Sequence, residues 1–235
     1  ARRNITAGTA AAASQGRRLE ARAGLERCAA SGTVVVSVAS GVYVSSLHAL
    51  AASASAHGFG CVATLPYTAT HANELSGQHT HVLAPPQPPL LPRAAWCGDP
   101  RYGWRRTHLY KMRLWRIVLD EGFDILSIDA NYKMMLSPLP TLRALRTAPC
   151  SLGPRDCERW FPSDMRAGGW PLDVVGLHDG QSSKLLNIGL FWMRSTNATR
   201  ALARVAENRT WGGCAPRQIE HGTGTRAVRR PALAS

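Results

Sequence analysis

Lysine is almost missing from this sequence. Of 28 basic residues in 235, only Lys111, Lys133 and Lys184 are lysines, and the rest are arginines. Acidic residues are also scarce, 15 in all, which leaves a formal charge of +13. Such a chain attracts phosphate. No helix-turn-helix, RNP-like or finger pattern accompanies the charge, so nucleic-acid binding is disfavoured as the main function. Arginine and alanine excess together also reflect a GC-rich genome. No CxxC occurs, which argues against a structural zinc site. No GxSxG exists to seat a serine nucleophile, and no GxxxxGK[ST] to make a P-loop. Six cysteines are too few to staple a chain of this length as a disulfide scaffold. The uncharged run from Cys28 to Asn73 is broken by Ser37, Ser40, Ser45, Ser46 and His48, too polar for a membrane span of ~20 residues. An anchor, if the natural protein has one, is expected outside this chain.

What is present describes one globular domain. Hydrophobic residues reach 45% and charged residues 18%, a balance that excludes wholesale disorder. Residues 1–30 are Ala/Arg/Gly-rich without sustained periodicity and read as a basic tail, with a short helix possible over Arg17–Arg27. Residues 222–235 read as a second tail, and 31–221 as the folded domain. Cysteines at 28, 61, 97, 150, 157 and 214, with N-x-S/T sequons at Asn4, Asn197 and Asn208, permit a lumenal setting. Cys150 and Cys157 are the first pair to test for a disulfide. Buried thiols are the alternative.

The β-branched run Thr33–Val38 reads as a buried strand. Val44–Ala56 then reads as a helix stopped by Gly58, and Cys61–Leu65 as a second strand, giving a βαβ unit. Residues 66–100, rich in proline, read as a loop. His79 and His81 lie in it without a nearby cysteine or carboxylate, a poor metal site. Tyr110, Leu114, Ile117, Val118 and Glu121 form a helical stripe with Lys111, Arg113 and Arg116 off it, and Gly122 ends the helix. Phe123–Ile128, Asp173–Leu177 and Leu185–Met193 read as strands. Ser195 or Thr196 caps a helix over Ala198–Glu207, whose inner face would be Leu202, Val205 and Ala206. Pro138 and Pro140 mark the end of a strand-like stretch. Alternating strands and helices predict an α/β sandwich with a mostly parallel sheet.

An aspartate at the carboxyl end of a buried strand stands where open α/β sheets place their ligands. Asp129 and Asn131 flank one residue there, so both oxygens can face one side. A carboxylate and an amide are hard ligands suited to Mg²⁺ or Mn²⁺, and such an ion takes up charge as a diphosphate leaves. On the tripeptide alone, the end of a strand and the start of a turn is the favoured explanation of Asp129.

The wider pattern adds to this. Lys111, nine residues, then Glu-Gly-Phe-Asp-Ile-Leu-Ser-Ile-Asp129-Ala-Asn131 and Leu-Ser-Pro-Leu-Pro resembles a glycosyltransferase signature. So does Leu186-Asn187-Ile-Gly189-Leu-Phe-Trp-Met-Arg194-Ser195-Thr196 before a helix. The chain resembles, from about Thr33 to His221, the plant and algal nucleotide-diphospho-sugar transferase family of rhamnogalacturonan-II xylosyltransferases and extensin arabinosyltransferases. The resemblance implies a GT-A-like (Rossmann-like) three-layer sandwich. It implies transfer of a sugar, with retention, from a UDP-type donor to a glycan or glycoprotein hydroxyl, with Mn²⁺ or Mg²⁺, in the Golgi lumen. It matches Asp129 and Asn131 to the DxD that binds metal and donor diphosphate, and Lys111 to a lysine reaching the donor. Asp179 and Asn187 match polar residues beside the sugars, Asp179 being the candidate for an acid/base or stabilising role. Gln218 matches a donor contact, His221 is a candidate third metal ligand, and Ala39 and Ser40 stand near the nucleotide. Two departures stand out: Asn131 replaces the second aspartate, and Arg217 stands before Gln218 where the family has aspartate. The alternatives are a diverged or truncated non-catalytic member that binds glycan or protein, and a basic polyanion-binding protein.

Overall fold

The computed structural model describes residues 3–84, 103–147, 173–178 and 186–212. Six strands form one sheet: β1 (Thr33–Val36), β2 (Val62–Thr64), β3 (Thr80–Val82), β4 (Asp124–Ile128), β5 (Val174–His178) and β6 (Leu186–Met193), in the order β3-β2-β1-β4-β6-β5. The pairings from β3 through β4 are parallel, β6 runs against β4, and β5 runs against β6. Among the described strands, β6 alone is therefore reversed. The expected α/β class and mostly parallel sheet hold.

Among the described residues six helices accompany the sheet: α1 (Arg3–Cys28), α2 (Val44–Ala56), α3 (Ala69–Leu75), α4 (Gly103–Asp120), α5 (Leu139–Thr147) and α6 (Asn197–Gly212). They cover both faces, and strand alternation divides the core accordingly. Val34, Val36, Ala63, Ile125, Phe191 and Met193 point to one face, with Leu25 of α1 and Leu114 and Val118 of α4. Val35, Val62, Leu126 and Trp192 point to the other, with Leu47 and Leu50 of α2, Leu75 of α3 and Leu142 of α5. Helix, sheet, helix is the three-layer arrangement that buries a sheet on both sides.

Several expectations are corrected. The first thirty residues are no tail along 3–28. They form α1, whose Leu25 and Cys28 are fully buried. Alanine and arginine are strong helix formers, so a helix arises there without the apolar periodicity that would have revealed it. A disulfide joins Cys28 to Cys61 at the entry to β2, while the pair expected first, Cys150 and Cys157, lies outside the described residues. Gly60 lets the chain pass close beneath α1. A Cβ there would stand 1.9 Å from the Arg27 carbonyl oxygen.

The segment expected as loop holds α3 and β3. Thr68 caps α3, its hydroxyl accepting from the His71 N–H at 3.1 Å. The prolines at 138 and 140 open α5 instead of closing a strand, since proline is tolerated in a first helical turn. The inner face of α6 is also different. Leu202 and Val205 are half exposed, whereas Thr199, Ala203 and Glu207 are buried. These three repeat every four residues, and Glu207 turns that face toward α4 by pairing with both Arg113 and Arg116. Of the two cap candidates Thr196 is the cap, accepting from the Thr199 N–H at 3.2 Å. Ser195 instead gives its hydroxyl to the Leu119 carbonyl.

Candidate functional site

The chain winds from β1 through β2 to β3 on one side, then returns to place β4 on the other side of β1. Their carboxyl ends diverge at this reversal, where open α/β sheets bind ligands. A cleft of about 600 Å³ lies there, lined on one side by 38–43, on the other by Asp129, Ala130 and Asn131, and by Thr107, His108 and Lys111 of α4.

The β1 side is built from small residues. Ala39 is buried, Ser40 half-buried, and Gly41 takes a φ of 55°, a left-handed conformation that glycine adopts without a side-chain clash. A 3₁₀ turn over Gly41–Tyr43 leads straight into α2, and no side chain caps either start. The positive end of α2 therefore begins at the cleft wall, a setting that favours anions. Ala39 and Ser40 line this wall of the cleft.

The β4 side supplies the charge. The last residue of β4 is Ile128, and the Asp129 N–H donates to the Gly189 carbonyl at 2.7 Å, which ties the aspartate to β6. Lys111, on the third turn of α4, is 3% exposed, and its ammonium pairs with Asp129, whose side chain is 42% exposed. The lysine is thus no solvated helix charge. It lies off the apolar stripe yet inside the protein, because α4 packs against the sheet and α6 and also walls the cleft. Asn131 is exposed at the same rim.

The antiparallel register sets Leu190 beside Ile128, so the start of β6, Asn187 included, lies at the same edge as Asp129. Asp179, Gln218 and His221 lie outside the described residues. Reading the sequence missed Thr107 and His108. His108 is one helical turn before Lys111, and the i, i+3 spacing would have placed both on one face. Burial, and then the Lys111 charge, hold the His108 pKa below its usual value, with Asp129 opposing.

The donor set bears on the implied metal. Among the described residues no group of three or more histidines, cysteines, aspartates and glutamates gathers to hold an ion. Asp129 and Asn131 offer one carboxylate and one neutral amide. That is too little for an all-protein cage, but it fits an ion that keeps waters and takes its remaining ligands from substrate phosphates. Among the described residues no helix is long and apolar enough to cross a membrane. No protein-family model matches the chain, and no curated protein matches it.

Proposed function

We propose that this chain is a GT-A-type glycosyltransferase that moves a sugar from a UDP-type donor to a hydroxyl of a glycan or glycoprotein. The single observation that carries the reading is the Lys111–Asp129 pair set into a cleft at the β1/β4 reversal. The cleft has the volume of small-ligand sites, about 300–1,000 Å³. Its one wall begins a helix and its other presents a cation beside a carboxylate, the chemistry that a diphosphate requires. The three layers around a mostly parallel sheet support the GT-A reading.

In this proposal Ala39 and Ser40 lie against the nucleotide, their small side chains allowing close approach to the backbone. Lys111 and the start of α2 face the diphosphate and stabilise the charge that develops as the glycosidic bond to it breaks. Asp129 and Asn131 would hold Mn²⁺ or Mg²⁺, which supplies further charge neutralisation to the leaving group. Asp179, Asn187 and Gln218 are proposed for the sugar and donor, and His221 as a third ligand. The Cys28–Cys61 disulfide supports an oxidising compartment such as the Golgi lumen.

Calorimetric titration with UDP, with and without Mn²⁺, tests this. The wild type is expected to bind UDP in a Mn²⁺-dependent manner. Asp129→Ala is expected to weaken that binding by on the order of 100-fold, about 2.7 kcal/mol. Absence of UDP binding in the wild type under both conditions rejects the reading.

A further inference from the structure

We infer that Lys111 is a lock on Asp129 that the donor's own diphosphate opens, so that metal and nucleotide each bind well only in the other's presence. This rests on the nucleotide-sugar reading above. In the Lys111–Asp129 pair the cation is the buried partner, 3% exposed, and the anion is the open one, 42% exposed. A buried ammonium must keep a counter-charge, and here Asp129 supplies it.

A divalent ion arriving alone at Asp129 meets two obstacles. It competes with Lys111 for the carboxylate and so weakens the pairing that neutralises the buried ammonium. It also brings two positive charges beside that ammonium, where partial burial strengthens the repulsion. Asn131 adds an oxygen but no charge to offset either. A nucleoside diphosphate arriving alone meets the opposite fault, because the Asp129 carboxylate repels it.

Arriving together, the two ligands solve both problems. The phosphate oxygens become the new partners of Lys111, and Asp129 is released to the ion. Each ligand then raises the other's affinity by the same factor, as thermodynamic linkage demands. Lys111 is in this sense a positioning residue for the carboxylate as well as a phosphate contact.

The test is a titration of Mn²⁺ followed by the paramagnetic signal of the free ion, with and without UDP, on the full chain. The wild type is expected to bind Mn²⁺ weakly alone and at least about tenfold more tightly with saturating UDP. Lys111→Met is expected to bind Mn²⁺ alone about tenfold more tightly than the wild type and to lose most of the tightening by UDP. Lys111→Arg keeps the charge and is expected to keep weak Mn²⁺ binding. Lys111→Met binding Mn²⁺ alone no better than the wild type, while UDP binding persists, overturns the lock and leaves the transferase reading standing. Absence of UDP binding under every condition overturns that reading, and the handover with it. If Lys111→Met does not fold, the wild type decides alone: equal Mn²⁺ affinity with and without UDP overturns the lock.

Discussion

The two ends of β4 each carry an aspartate, and the two are opposite in design. Asp124 opens the strand at the amino edge of the sheet. Its side chain is 5% exposed and accepts from Arg146 at 2.7 Å and from the Ser195 N–H at 2.9 Å. One carboxylate thus joins β4, α5 and the turn into α6, and its oxygens are used up within the protein. Asp129 follows the strand at the carboxyl edge, half exposed in a cleft, against a buried lysine. The same residue type fastens the fold at one end of the strand and, in the proposal above, serves as a ligand site at the other. Burial alone does not separate the roles. What separates them is whether the partners exhaust the carboxylate and whether a cavity adjoins it.

Substitution of each aspartate breaks the symmetry from opposite sides. Asp124→Ala leaves the Ser195 N–H and the Arg146 Nε without their acceptor, while Arg146 keeps its bond to the Ser31 carbonyl, and severing a pair buried on the carboxylate side costs about 3 kcal/mol. Urea unfolding is expected to show that loss, while UDP binding by the folded fraction is unchanged. Asp129→Asn keeps an oxygen facing the Lys111 ammonium but removes its counter-charge, so it too is expected to cost stability, less than Asp124→Ala because the carboxylate side of the pair is half exposed. Its effect on Mn²⁺-dependent UDP binding is expected to be nearly complete. Should Asp129→Asn cost as much stability as Asp124→Ala and leave binding intact, both aspartates are fasteners and the contrast dissolves.

How much of this was legible in the sequence follows from the same contrast. The strand before Asp129 could be read because five buried residues in succession, Asp124–Ile128, carry an apolar majority. The helix Val44–Ala56 was read with its observed bounds because glycine stops it: Gly58 takes a φ of 96°. The partner of Asp129 could not be read. Lys111 lies 18 residues earlier, on a helix whose apolar stripe ran elsewhere, and only the third dimension shows that a cleft wall covers it. The α6 face failed for a related reason. Leu202 and Val205 are the more apolar residues, yet the ion pairs of Glu207 with Arg113 and Arg116 set the helix's rotation. Polar pairing overrode hydrophobic pattern, and pattern was all the sequence offered. In α1 no pattern existed, and helix propensity with a disulfide at Cys28 did the work instead.

The smallest expected effect concerns three histidines whose burial disfavours their charged form, a contrast with the buried charge of Lys111, which has Asp129 beside it. His81 packs beside α1, where a Cβ on Gly24 would stand 2.1 Å from its ring. Burial, and then the nearby Arg27 charge, hold its pKa below the usual value, against the raising effect of a backbone hydrogen bond at Ala21. Burial likewise lowers His71, with Glu74 opposing and Arg106 reinforcing, and His108 is lowered as described above. Each of these groups binds its proton less readily in the folded chain than in the unfolded one, whose histidines titrate near 6.5. The unfolded state therefore takes up more protons as the pH falls below that value. The stability these histidines contribute is complete above about 6.5 and is lost as the pH falls through their depressed folded values. Urea midpoints are expected to decline from pH 7.5 to pH 5.5, above the range in which most carboxylates titrate, at about 4. His81→Gln removes one of the three groups and is expected to flatten that decline. A midpoint that instead rises on acidification would mean that these rings gain a proton on folding, and that charge at this sheet is stabilised away from Asp129 as well as beside it.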